Sequence, residues 1–102
     1  MKIIGKAEIY FFNKEEGGQD RLIRKNFSTP ILFDEDKEQK LGLWSAMIEF
    51  ISLPNEERKA KADIYLLFYD QVEAPNFLIR PGAEFMLVPR IAKGKFDSIR
   101  TE

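Results

Sequence analysis

The sequence predicts an all-β fold, a small closed antiparallel β-barrel of about six strands, and three observations carry that expectation. Short segments rich in β-branched and aromatic residues recur along the chain, Gly, Pro, Asn and Asp punctuate them, and no stretch keeps a convincing helical period. At 102 residues, 44% of them hydrophobic, the chain is too apolar for disorder and long enough to bury one core without metal or disulfide staples. Residues 1–102 are therefore expected to form a single domain.

Residues 7–12 are β-branched and aromatic and stop at Asn13, so they read as a first strand running into the charged turn Lys14-Glu15-Glu16-Gly17-Gly18. That turn is expected to close a hairpin with the next strand, residues 26–33, where Pro30 suits an edge or a bulge. Residues 34–40 hold no apolar side chain and form a solvated loop. Residues 41–53 read as one long strand, with Trp44, Ala46, Ile48 and Phe50 on the core face and Leu43, Ser45, Met47, Glu49 and Ile51 on the outer one, which Ser45 and Glu49 mark. Residues 52–62 form a polar connection whose Glu, Lys, Arg and Ala content supports a helical turn.

The following strand, residues 62–69, is apolar on both faces. A short strand at 77–79 leads into Pro81-Gly82, a pair suited to the two central positions of a type II turn. Residues 83–88 make the next strand, Pro89 breaks its ladder, and residues 91–99, with Gly94 in the middle, make the last.

Composition excludes several kinds of chemistry. Sixteen Lys and Arg stand against 17 Asp and Glu, a net charge of -1, so any attraction to a polyanion must come from a local patch. With no His and no Cys, the commonest general base, thiolate nucleophiles and the usual zinc ligands are absent. The carboxylate pairs at Glu15-Glu16, Asp34-Glu35-Asp36 and Glu56-Glu57 all lie in polar turns, which favours solvation over catalysis. A calcium loop starting at Asp34 would need Gly and Glu where Gln39 and Ser45 stand. Gly17-Gly18 lacks the Lys-Ser or Lys-Thr of a phosphate loop. The longest apolar run, residues 64–69, is far short of the roughly 20 residues a membrane helix needs. Lys6 and Glu8 interrupt the N-terminal apolar run before it reaches signal-peptide length. The expectation is a cytoplasmic, non-enzymatic protein with no cofactor, metal, nucleotide or membrane partner.

Two features remain as binding candidates. Basic residues gather as Arg21, Arg24 and Lys25, as Arg58, Lys59 and Lys61, and as Arg90, Lys93 and Lys95, but Glu15, Glu16, Asp20, Glu56 and Glu57 are interleaved with them. The second feature is large apolar side chains on both faces of single strands. A small barrel has one interior, so some of Tyr10, Phe12, Tyr65, Tyr69 and Met86 are expected outside, either exposed for a partner or covered by a loop such as 52–62.

The stretch "AEIYFFNKEEGG", residues 7–18, resembles the opening strand and turn of the C-terminal domain, domain III, of elongation factor Tu. "NFSTPILF" (26–33) looks like that domain's second strand, and "FLIRPGAEFMLVPRIAKGKFDSI" (77–99) like its closing hairpin; the likeness is loose over 34–74. The resemblance implies a closed antiparallel barrel that binds aminoacyl-tRNA and protein partners, without GTP hydrolysis, which belongs to another domain. Lys14, Glu15, Glu16, Gly17 and Gly18 carry over directly. The next residues, Gln19-Asp20-Arg21-Leu22-Ile23, lack the His of the family's RNA-contacting stretch and bring in an Asp.

Together these readings predict a translation-related module that binds another protein, or a second copy of itself, through Tyr10, Tyr65 and Tyr69. The alternative is a tRNA-binding module using Lys14, Arg21, Arg24 and Lys25, with Glu15 and Glu16 beside them in the same turn.

Overall fold

The computed structural model describes residues 1–102 and contains six strands: β1 (Ile3–Phe11), β2 (Phe27–Phe33), β3 (Trp44–Ser52), β4 (Lys59–Leu66), β5 (Glu84–Leu87) and β6 (Ala92–Thr101). All neighbouring strands run antiparallel, and they close into a barrel in the order β1-β4-β3-β2-β5-β6. Three short 3-10 turns, at Lys14–Glu16, Asp34–Asp36 and Asn76–Leu78, lie in the connections. No helix is long and apolar enough to cross a membrane.

The two-residue period of the strands decides which side chains fill the barrel. On β1, Ala7, Ile9 and Phe11 point inward while Lys6, Glu8 and Tyr10 point out; on β4, Ala60, Ala62, Ile64 and Leu66 alternate with Lys59, Lys61, Asp63 and Tyr65. The small alanines leave room in the interior for larger rings. Phe85 and Phe96 occupy it, 4.7 Å between centroids and both fully buried, a burial that stabilises by about 1.5–3 kcal/mol per side chain. Gly94 is the point of closest approach: a Cβ there would lie 2.5 Å from the Phe85 ring and 2.8 Å from the Glu8 carbonyl oxygen.

Several local expectations hold. On β3, Ala46 and Ile48 are buried and Met47 and Glu49 face outward. Gly82 has φ +86°, and the Ala83 amide donates to the Arg80 carbonyl, as a type II turn with Pro81 and Gly82 at its centre requires. Others are corrected. The turn after β1 does not close a hairpin, because β1 pairs with β4 and β6 while β2 pairs with β3 and β5. Turn chemistry fixes a reversal of the chain but not the strand that it returns to. Nor is β2 an edge. Pro30 is accommodated because β5 pairs only with Ile31–Phe33, so at Pro30 the β5 side needs no donor, and the Pro30 carbonyl accepts from Val88.

No helical turn forms between β3 and β4. β4 starts at Lys59, ahead of the expected residue 62, and its inward Ala60 and Ala62 give too weak an apolar alternation to announce a strand. It ends at Leu66, so Tyr69 lies in the turn beyond. Residues 76–78 are a 3-10 turn rather than a strand: Leu78 and Ile79 plug the barrel while Phe77 stays exposed.

Candidate functional site

Because β1 lies between β4 and β6, and β5 follows β6, the outward side chains of four strands form two rows on one face of the barrel. One row runs Lys59, Tyr10, Lys93, Met86; the other runs Lys61, Glu8, Lys95, Glu84. The rows are about 7 Å apart, two residues along a strand. The face is concave, a groove of about 680 Å³, with Ser52 and Asn55 beyond β4 at one side and Asp34 beyond β5 at the other.

Four lysines and three carboxylates line this groove, and none of the seven forms an ion pair with another. Lys59 alone has a partner, Glu57 at 4.0 Å outside the groove. Apart from Lys59, these charges of both signs can take complementary groups from a ligand without first breaking an ion pair.

One end of the groove is tied to the turn after β1. The Tyr10 phenol donates to Glu16 Oε1 at 2.6 Å, and that oxygen also accepts the Asn13 amide at 3.0 Å, while Asn13 Oδ1 accepts the Glu16 amide at 2.9 Å. This capping box holds the Lys14–Glu16 turn, which Gly17 ends at φ +92°. The Asn13 amide and then the Tyr10 phenol lower the pKa of Glu16; the bond to Glu16 raises that of Tyr10. Lys93 stands over the Tyr10 ring, Nζ 5.8 Å from its centroid.

Arg58 and Arg90 have structural work. Arg58 donates from Nε to the Phe11 carbonyl and from Nη2 to the carbonyls of Phe12 and Gln19, all at 2.8 Å. Arg90 donates from Nε to the Glu16 carbonyl at 2.8 Å and covers the Phe12 ring, 4.5 Å from its centroid. Both take left-handed backbone, φ +65° and +49°. Phe12, expected as a candidate for exposure, is thereby buried.

The other predicted site residues do not converge on the groove. Lys14 and Glu15 are exposed on the turn, with Lys14 3.7 Å from Asp20. Arg21, Arg24 and Lys25 are exposed on the crossover to β2. Tyr65 and Tyr69 sit elsewhere, half-buried beneath Lys2, whose Nζ is 4.1 and 5.7 Å from their ring centroids. Burial, then the charge of Glu49, raises the pKa of Tyr65. Tyr65 lies six residues along β4 from Lys59, the partner of Tyr10, so the two tyrosines are about 20 Å apart. Two exposed apolar side chains, Leu43 and Phe68, lie beside half-buried Trp44 around a shallow depression with Gly42, Ser45 and Gln71. Nor does the acidic run at 34–38 present its carboxylates together: Asp36 accepts the amides of Lys40 and Leu41, and Glu35 pairs with Arg80.

Sequence reasoning grouped Lys59 and Lys61 apart from Lys93 and Lys95; β1 brings the pairs together. Glu8 and Glu84 were missed, since only the strand register places them between lysines. Comparison of the chain with protein-family models, with curated proteins and with solved structures finds no match.

Proposed function

We propose that this barrel is a non-enzymatic binding module that holds an extended segment of another protein across the groove. The observation that carries the proposal is the interleaving of four lysines with Glu8, Glu84 and Asp34, none paired with another. A polypeptide can supply charges of both signs at the spacing of a strand, whereas a nucleic-acid backbone presents one sign throughout and meets three carboxylates. Tyr10 and Met86 add half-buried apolar area for a side chain between the charges.

The shifts at Tyr10 and Glu16 move both groups away from neutrality, the wrong direction for a general acid or base at neutral pH. A relation to domain III of elongation factor Tu and a cytoplasmic setting belong to the same proposal; the likeness over 7–18 supports them, and it also motivates including RNA in the test.

The experiment is affinity capture by the wild-type chain and by the charge-reversed Lys59→Glu/Lys93→Glu variant, with and without ribonuclease. The expected result is a protein retained by wild type, lost on charge reversal and indifferent to ribonuclease. Retention that vanishes with ribonuclease, or that charge reversal leaves unchanged, overturns the proposal.

A further inference from the structure

β6 is ten residues long, yet β5 pairs with it only from Ala92 to Lys95. Two backbone bonds, from Gly82 to the Phe96 carbonyl and from the Phe96 amide to Ala83, extend that side of the strand by one residue. Beyond Phe96 only β1 pairs with it, so residues 97–101 form a sheet edge at one end of the barrel.

The phase of the ladder determines which backbone groups are left open. Lys2 and Glu102 exchange both of their bonds, at 2.8 and 2.9 Å, so in an antiparallel ladder Arg100 opposite Ile4 and Ser98 opposite Lys6 also face β1. The residues between them, Ile99 opposite Gly5 and Thr101 opposite Ile3, turn their N–H and C=O to the open side. No backbone bond from a turn or loop reaches Ile99 or Thr101, and the Ile99 side chain is 43% exposed. Unpaired donors and acceptors on a sheet edge are satisfied best by another strand.

We infer that this edge pairs with the same edge of a second copy of the chain, the two β6 strands running antiparallel about a two-fold axis through Ile99. Residues whose N–H and C=O face the open side must stand opposite one another, so Ile99 meets either Ile99 or Thr101 of the second copy. The Thr101 register sets Arg100 directly opposite Arg100 of the second copy, and like charges in that position destabilise a sheet. With Ile99 on Ile99, Ser98 faces Arg100 and Thr101 faces Asp97, no like charges are opposed, and the exposed apolar side chain is covered by its own mate. A net charge of -1 adds little repulsion between copies. The lysines of β6 that line the groove end at Lys95, so the pairing is independent of the groove and of what it binds.

The test is sedimentation velocity over a series of concentrations up to millimolar chain, for wild type, Ile99→Lys and Ile99→Pro. Lysine places like charges on the two-fold axis at an already exposed position. Proline removes an N–H that β1 does not use, and so spares the β1–β6 ladder. The expected result is a wild-type monomer–dimer equilibrium, with both variants monomeric and their circular dichroism spectra unchanged. A wild type that stays monomeric throughout, or a dimer that survives Ile99→Lys, overturns the inference.

Discussion

The Tyr10 phenol donates a 2.6 Å hydrogen bond to Glu16 Oε1, the oxygen that also accepts the Asn13 amide. The last outward side chain of β1 is thus bonded to the turn that follows it, which ties the groove floor to residues 13–18. The pKa of Glu16 is lowered, so its contribution is present above the ordinary glutamate value and is lost as pH falls through the folded value. That of Tyr10 is raised, so its contribution is present below the ordinary tyrosine value and is lost as pH rises through the folded value. The turn is expected to be firmest between roughly pH 5 and 10. Hydrogen exchange at the Gly18 amide reads this directly, and Tyr10→Phe is expected to abolish the alkaline loosening while the acid one persists.

Arg58 holds three carbonyls from two segments, those of Phe11, Phe12 and Gln19, so truncation leaves all three to find water. Arg58→Ala is expected to lower the free energy of unfolding by about 2 kcal/mol, within the range for bonds to a charged donor. Arg58→Lys should recover little of it, because an ammonium cannot reproduce the planar fork. Urea denaturation of the three proteins measures both effects.

At Gly94 the inside of the barrel meets the floor of the groove, and an added methyl has nowhere to go between the Phe85 ring and the Glu8 carbonyl. Gly94→Ala is expected to destabilise by about 1–3 kcal/mol, as overpacking does. Adding Phe85→Leu should make the combined loss smaller than the sum of the two single losses. A double-mutant cycle in thermal unfolding checks the coupling.

What was legible in the sequence was local. The faces of β3 and the turn at Pro81-Gly82 follow from a two-residue period and from glycine's tolerance of positive φ, both visible within a few residues. β4 begins three residues before the expected 62, because Ala60 and Ala62 are weakly apolar and sit among lysines that favour helix equally well, and it ends three before the expected 69. The groove was not legible at all. Lys59 and Lys61 are far from Lys93 and Lys95 in the chain, and only the placement of β1 between β4 and β6 makes them neighbours. The roles of Arg58 and Arg90 were hidden for the same reason. Their partners are main-chain carbonyls, which every residue has, so composition cannot point to them.

The claim that a partner protein lies across the groove is tested most directly by position-specific photo-crosslinking in cells, with the reactive side chain placed at Met86 in one protein and at Tyr65 in another. Met86 ends the first row of the groove, and Tyr65 lies well away from it under Lys2. A discrete protein adduct is expected at Met86 and none at Tyr65. An adduct confined to Tyr65, or an RNA adduct at Met86, would contradict that claim.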